Sequence, residues 1–172
     1  MVLIGAESTG KTTLAEALAT EMDAPWVPEY ARTHLDRKRA PLTAEDVEEI
    51  ARGQLAAEDE GRRRAHGLLI LDTDLVSTMV YARYYYGSCP PWIEGAARAR
   101  RADLYLLHHP DVPWVEDGAQ RDQPAARDHI HGLFREALDA LGAHTVDLTG
   151  SWEERMKTAK RAIALLLSTA EG

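Results

Sequence analysis

The sequence predicts a three-layer α/β fold built around a five-stranded parallel sheet. Short apolar runs alternate with helical patterns along the chain, and this alternation implies right-handed crossovers between parallel strands. A glycine-rich segment at residues 5–12 joins the first apolar run to the first helical pattern. No internal repeat, low-complexity tract or linker interrupts the sequence, so we expect residues 1–172 to form one domain.

The five strands are predicted where apolar residues run together, at residues 2–4, 25–27, 68–71, 104–107 and 145–148. The run 68–71 is apolar throughout, as expected for a strand that is buried on both faces. Between these runs, helical patterns cover residues 11–22, 29–38, 74–86, 92–100 and 126–141.

Two further helices are predicted from capping boxes, in which a hydroxyl residue is followed three residues later by an acidic one. Thr43 with Asp46 begins a helix that runs to about residue 65, and Ser151 with Glu154 begins the last helix. We expect the first of these helices to point four apolar side chains inward, those of Val47, Ile50, Leu55 and Ala56.

The composition disfavours several classes of protein. The formal net charge of −8 disfavours a nucleic-acid partner, because no basic field attracts a polyanion. We interpret the arginine clusters at residues 62–64 and 98–101 as solvated helix faces. The single cysteine, Cys89, fits a reducing cytoplasm, and no segment approaches the length of a membrane span. The sequence leaves the oligomeric state open, a homo-oligomer included.

Residues 5–12 read Gly-Ala-Glu-Ser-Thr-Gly-Lys-Thr, a complete phosphate-binding loop placed between a strand and a helix. In such a loop, backbone N–H groups surround a phosphate chain and the helix N-terminus favours the bound anion. We expect ATP to be held by Gly5, Ser8, Thr9, Gly10, Lys11, Thr12 and Thr13. Lys11 would reach the β and γ phosphates, and the Thr12 hydroxyl would bind Mg²⁺. The predicted fold is therefore that of a P-loop NTPase.

Absent motifs narrow the class of P-loop protein. Remodelling ATPases carry Asp-Glu at the end of a second phosphate-site strand, and the Glu activates water. Here the predicted strand at residues 68–71 is followed by Asp72-Thr73-Asp74, so no Glu follows the Asp. The guanine-selecting motif of GTPases does not occur in the sequence. A small kinase fits best, since its acceptor hydroxyl takes the place of water.

Acidic and basic side chains are predicted at the carboxyl ends of the strands, where ligands bind in open α/β sheets. Glu29 and Arg32 follow the second strand and should face the acceptor pocket. Asp72 ends an apolar strand and is the expected Mg²⁺ partner. Either Asp74 or Glu29 would orient or deprotonate the acceptor hydroxyl, and Asp74 could equally serve as a helix N-cap.

A lid is predicted at about residues 113–127, in the loop that follows the fourth strand. Small kinases close such a segment over the nucleotide, and its arginines stabilise charge on the transferring phosphoryl group. The candidates are Arg121 and Arg127, whose roles can be exchanged. For Arg121 the alternative is a surface salt bridge with Asp117 or Asp122.

These motifs together resemble the ribosylnicotinamide kinase domain of the bacterial NadR family. The resemblance extends over nearly the whole chain and rests on residues 5–14, Pro28–Arg32, Asp72–Asp74 with Thr78, Tyr85–Gly87, Pro113-Trp114 and Asp117-Gly118. It implies ATP-dependent phosphorylation of the 5′-hydroxyl of nicotinamide riboside, which gives nicotinamide mononucleotide for NAD salvage. The sequence has no second nucleotide-binding motif, so we expect no joining of this product to AMP. The short first strand leads us to expect natural residues upstream of Met1.

A pocket for nicotinamide riboside should offer aromatic faces and carboxylates to its positive pyridinium ring. The carboxylates would come from Glu29, Asp72 and Asp74. The aromatic candidates are Tyr30, Trp92, Trp114 and residues 84–86, of which we favour Trp92 and Trp114. Core packing is the alternative for each aromatic residue.

Two other functions stay open at this point. One is a kinase for another nucleoside or small metabolite, built in the same way. The other is a nucleotide-dependent regulatory ATPase that binds a protein partner, which would hydrolyse ATP without any acceptor.

Overall fold

The computed structural model describes residues 1–113 and 124–170. Within these residues there are five strands, β1 (Val2–Ile4), β2 (Trp26–Val27), β3 (Ile70–Asp72), β4 (Tyr105–His108) and β5 (Thr145–Leu148). The helices are α1 (Lys11–Met22), α2 (Tyr30–Lys38), α3 (Val47–Arg64), α4 (Leu75–Tyr86), α5 (Pro91–Ala99), α6 (Arg127–Ala140) and α7 (Trp152–Ala170). Short 3₁₀ turns, Ala44–Asp46 and Pro124–Ala126, precede α3 and α6.

The five strands form one parallel sheet in the order β2-β3-β1-β4-β5, as predicted. β1 lies at the centre, and its three residues are fully buried because helices cover both faces of the sheet. Val2 and Ile4 pack with α3, α4, α5 and α6 on one face. Leu3 packs with α1 and α7 on the other, which gives the predicted three layers.

Both predicted capping boxes form. The Thr43 N–H donates to the Asp46 carboxylate at 2.6 Å, and the Ser151 N–H donates to the Glu154 carboxylate at 2.7 Å. Each acidic side chain thereby satisfies a backbone N–H that the helix leaves without a partner. None of the described helices has the length and apolar character needed to span a membrane.

Several predicted element bounds shift by one or two residues, and one side chain predicted to point inward is exposed. The third strand begins at Ile70 rather than at residue 68, because its ladder with β2 begins with Trp26 opposite Ile70 and its ladder with β1 begins with Val2 opposite Leu71. Ala56 is exposed rather than inward, since the buried face of α3 runs through Val47, Ile50, Ala51, Gln54, Glu58 and Gly61.

Candidate functional site

The phosphate loop joins β1 to α1 and has the backbone conformation that its glycines allow. Gly5 has a φ of +139°, and a Cβ at this position would lie 2.7 Å from the backbone oxygen of His108. Gly10 is left-handed, with a φ of 83°, and forms the N-cap of α1. Only glycine adopts both conformations without strain, so these two positions set the path of the loop.

Lys11 lies at the start of α1 with its side chain folded into the loop. Its Nζ donates to the backbone oxygen of Ala6 at 2.8 Å. Burial lowers the pKa of the Lys11 ammonium, while the nearby carboxylates of Glu29, Asp72 and Glu7 oppose that shift. The cation therefore lies among three acidic groups at the carboxyl end of the sheet.

Thr12 and Asp72, the two residues that the sequence predicts to hold Mg²⁺, meet next to the loop. The Thr12 hydroxyl donates to one Asp72 oxygen at 2.6 Å. The other Asp72 oxygen is buried and finds no hydrogen-bond partner among the described residues. A hydroxyl and a carboxylate fit Mg²⁺, which keeps few protein ligands and takes the rest from phosphates and water.

Glu29 lies at the N-cap of α2, just past the end of β2. Its carboxylate accepts from Arg32 Nε at 3.1 Å, so the two residues predicted to face the acceptor are paired. Burial raises the pKa of the Glu29 carboxyl, and the charge of Asp72 raises it further, while Lys11 and Arg32 act in the opposite direction. Glu29 is therefore close enough to Lys11 and Asp72, next to the loop, for their charges to affect its ionisation.

A pocket with a cavity volume of about 100 Å³ opens next to Glu29, between α2, α3 and α4. Glu7 and Glu29 supply its carboxylates, and Tyr81, Tyr85 and Tyr86 of α4 supply its aromatic faces. The rings of Tyr81 and Tyr85 stack at 5.8 Å. The remaining wall comes mainly from Thr43, Val47, Ile50, Gln54 and Thr78.

Sequence reasoning missed Tyr81 and Glu7 as pocket residues. Tyr81 and Tyr85 are four residues apart, and Thr78 is three residues before Tyr81, so the three side chains share one face of α4. That spacing is a sequence signal that could have identified the aromatic wall. Glu7 lies inside the phosphate loop, where its direction depends on the folded backbone.

Asp74, Tyr30 and Trp92 are not among the residues that line this pocket. Asp74 is the N-cap of α4, with one oxygen accepting from the Val76 N–H at 2.9 Å and the other from the Tyr105 hydroxyl at 2.7 Å. Both oxygens are thus used within the protein interior. The helix-capping role that the sequence left open is the one that the structure shows.

Tyr84 of the predicted group 84–86 also lies outside the pocket lining. Two other aromatic candidates outside it, Trp92 and Tyr30, contact α3 and α2 instead. The Trp92 ring lies under the guanidinium of Arg52, 4.7 Å from its centroid, and packs against the core. The Tyr30 ring is 6.0 Å from the Arg37 guanidinium. Both rings form cation–π contacts within the protein.

Arg127 begins α6 and reaches back to the phosphate loop. Its guanidinium donates to the backbone oxygens of Val112 at 3.0 Å and Ser8 at 3.3 Å. Burial lowers the pKa of this group, and the neighbouring Asp128 opposes the shift. Of the other lid residues predicted from the sequence, Trp114 and Arg121 lie outside the described residues.

A second pocket lies on the other side of the loop, where Ser8, Thr9, Gly10 and Thr13 face Trp152 and Arg155 of α7. The Arg155 side chain is buried and donates to the backbone oxygens of Thr9 at 3.3 Å and His109 at 3.0 Å. His108 contacts the same Thr9 oxygen at 3.0 Å, and burial lowers its pKa to about 3, so its ring is neutral. The described residues therefore place one pocket on each side of the loop.

Comparison with known proteins identifies relatives of the chain. A family model described as an AAA domain matches residues 1–155. The trifunctional NAD biosynthesis/regulator protein NadR of Escherichia coli (strain K12) is 31% identical over 122 residues, which cover 69% of this chain and 30% of the relative. The matched segment thus spans less than a third of that protein's length.

Two solved NadR structures are similar over 97% of this chain and 49% of theirs, each at 26% sequence identity. One is the complex with NAD and AMP-PNP, with a TM-score of 0.83, and the other is the complex with NR, with a TM-score of 0.81. The sheet order, the phosphate loop and these matches agree with one another. The chain therefore belongs to the AAA domain family and is a homologue of the NadR proteins.

Proposed function

We propose that this chain is an ATP-dependent kinase that phosphorylates the 5′-hydroxyl of nicotinamide riboside to give nicotinamide mononucleotide. The observation that carries this proposal is the position of Glu29, which both lines the tyrosine-walled pocket and lies near Lys11 of the phosphate loop. Relatives that bind NR, and NAD with AMP-PNP, support the choice of ligands.

The transfer forms one bond and breaks another. The 5′-oxygen of the acceptor attacks the γ-phosphorus, the bond from that phosphorus to the bridging oxygen breaks, and ADP leaves. The hydroxyl proton passes to the Glu29 carboxylate. Its raised pKa supports this role, since a general base works best when its pKa lies near the working pH.

The phosphate side of the site stabilises the nucleotide. Lys11 exchanges its contact with Ala6 for the β and γ phosphates, and loop N–H groups bind the remaining oxygens. Thr12 and Asp72 are the residues that would hold Mg²⁺, which when bound neutralises charge on the phosphates. Arg127, and Arg121 in the lid, are proposed to act on the same charge, while Arg32 orients Glu29.

The acceptor pocket suits a cation better than a neutral nucleoside. The carboxylates of Glu7 and Glu29 attract the pyridinium ring, and the tyrosine faces bind it through cation–π contact. The nucleotide base is proposed to occupy the second pocket, against Trp152. Because ATP and NAD precursors are metabolites of the cytoplasm, we propose that the enzyme works there.

A coupled ADP-release assay tests the proposal. It compares nicotinamide riboside with uridine, cytidine and no acceptor, and mass spectrometry identifies the product. We expect turnover with nicotinamide riboside well above the rate without acceptor, and a product heavier by one phosphoryl group. Faster turnover with uridine or cytidine would show that another nucleoside is the acceptor. Equal ADP release with and without acceptor would indicate a regulatory ATPase.

A further inference from the structure

Gln54 of α3 joins the two segments that carry the acidic residues of the site. Its Oε1 accepts from the N–H of Tyr30 at 3.0 Å, and its Nε2 donates to the backbone oxygen of Thr73 at 3.3 Å. Tyr30 directly follows Glu29, and Thr73 directly follows Asp72. Gln54 is only 2% exposed, and its hydrogen bond to Thr73 is buried while the one to Tyr30 is partly buried.

The sheet alone gives Glu29 little support. β2 has two residues, and they pair only with Ile70 and Leu71 of β3. After Val27 the chain leaves the sheet, so no strand pairing fixes Glu29 relative to Asp72. The bridge through Gln54 supplies a connection just where the pairing of β2 and β3 stops.

The same bridge leaves the Glu29 carboxylate available for chemistry. Glu29 is the N-cap of α2, yet its side chain makes no capping hydrogen bond. The first N–H groups of a helix need an acceptor from elsewhere, and Gln54 provides one for Tyr30. The Glu29 carboxylate can therefore face Arg32 and the pocket instead of its own helix.

Two further features show that the segments joined by Gln54 pack closely. Thr73 has a left-handed φ of 69°, which is unfavourable for a β-branched residue, and Gln54 holds its carbonyl. Gly53 lies against the Tyr30 ring, and a Cβ there would come within 2.0 Å of it. A side chain at position 53 would therefore require the Tyr30 ring to move.

We propose that Gln54 is a positioning residue for phosphoryl transfer, which fixes the Glu29 carboxylate relative to Asp72 and Lys11. This inference rests on the proposed kinase function, in which Glu29 receives the proton of the acceptor hydroxyl. Gln54 itself acts through the backbones of Tyr30 and Thr73.

Steady-state kinetics of Gln54→Met tests the inference, with Leu55→Ala as the control. Methionine has nearly the same length and makes neither hydrogen bond. Leu55 is the next residue on α3, packs against the core and lies outside the pocket lining. We expect Gln54→Met to lower kcat by about 10²-fold, because misplacing a reacting group by about 1 Å has an effect of this size. The KM for ATP should change by less than about threefold, and kcat of Leu55→Ala should stay within about threefold of wild type.

Titration of the Glu29 carboxyl by NMR gives a second readout that needs no turnover. Glu29 faces Lys11 from α1, Asp72 from β3 and Arg32 from its own helix. Its pKa should fall toward the ordinary glutamate value in Gln54→Met, as the carboxyl moves away from Asp72 into water, and should not move in Leu55→Ala. If Gln54→Met fails to fold, Gln54→Asn replaces it, since its amide is one methylene too short to reach both partners.

The two readouts separate the two proposals. A Glu29 pKa that is the same in wild type and variant, or a kcat loss no larger than that of Leu55→Ala, would overturn the positioning role. A pKa shift in a protein that phosphorylates no nucleoside would refute the kinase proposal and retain the role of Gln54 in placing Glu29.

Discussion

Asp72 and Asp74 are separated by a single residue, yet their carboxylates lie in different regions of the molecule. Asp72 accepts from Thr12 and is close enough to Lys11 and Glu29 to affect their ionisation. Asp74 caps α4 and accepts from the Tyr105 hydroxyl. Exposure does not distinguish them, since the two residues are 1% and 6% exposed. Their partners therefore decide which one can serve the reaction.

The turn at Thr73 separates the two regions. In a continuing strand, residues 72 and 74 would point to the same face of the sheet. The strand ends at Asp72, Thr73 adopts a left-handed conformation, and Asp74 begins the next helix. One carboxylate consequently faces the phosphate loop and the other enters the interior between α4 and β4.

The largest expected effect is on turnover, from Glu29→Gln. The amide keeps the size of the side chain but accepts no proton, so we expect kcat to fall by about 10³-fold, within the range for loss of a general base. Thermal unfolding should change little, because Glu29 makes no capping hydrogen bond. The measurement is ADP release with nicotinamide riboside, and a fall smaller than tenfold would remove Glu29 from the chemistry.

Asp74→Ala should instead act on stability. It removes the cap of α4 and leaves the buried Tyr105 hydroxyl without its acceptor, so we expect a loss of about 2 kcal/mol in the free energy of unfolding, measured in urea. Asp74→Asn is the milder variant and serves as the control: its amide oxygen can still accept from the Val76 N–H, and its amide nitrogen can donate to the Tyr105 oxygen. We expect its kcat to stay within about threefold of wild type. A folded Asp74→Asn protein with a 10²-fold lower kcat would place Asp74 in the reaction after all.

Tyr85→Leu tests the aromatic wall against the tryptophan that the sequence favoured. Loss of a cation–π contact worth about 1 kcal/mol should raise the KM for nicotinamide riboside by about five- to tenfold. Trp92→Leu is the comparison, since Trp92 contacts Arg52 outside the pocket lining, and its KM should stay within about twofold. Equal KM values for the two variants would contradict the assignment of the pocket.

The smallest effect concerns the buried acidic group next to Asp74. Burial, together with the charge of Asp74, raises the pKa of Glu58 to about 7, while Arg62 opposes the shift. A carboxyl whose pKa is raised on folding binds more protons in the native state, so its contribution to stability is lost as pH rises toward 7. Arg62 and Arg100 contact the same carboxylate, and the pKa of Asp74 is itself raised by burial, to about 6.

Urea unfolding of wild type and Glu58→Gln at pH 5 and pH 8 measures this linkage. The stability of Glu58→Gln relative to wild type should increase between the two pH values. Using the difference between two proteins cancels the opposite contribution of His108, whose lowered pKa favours folding as pH rises. A difference that does not change with pH would show that Glu58 stays ionised.

Most of the fold could be predicted because its signals are local. Apolar runs, the glycine-rich loop and two capping boxes each depend on residues within a few positions of one another, and the structure shows all of them. The ends of strands depend instead on pairing between segments that are distant in sequence. β3 pairs with β1, and those two segments are about seventy residues apart in the chain.

Within the candidate site, the position of a side chain could be predicted where the backbone fixes it. The phosphate loop, Asp72 at a strand end and Glu29 after β2 follow from parallel topology alone. The surroundings of Asp74 and Trp92 depend instead on Tyr105 and Arg52, which are more than thirty residues away in sequence. No local pattern contains such a contact, so the alternatives for these residues could only be decided in the folded protein.

The brevity of β2 has a consequence for how this protein can diversify. Its two residues leave the acceptor side to be shaped by α3 and α4, whereas the nucleotide side is set by the central strand and its loop. Substitutions on α3 and α4 can change the size or charge of the pocket next to Glu29 while β1 and the phosphate loop stay the same. In the proposed kinase, this division would let new acceptors arise during evolution without any change in the loop that is proposed to bind ATP.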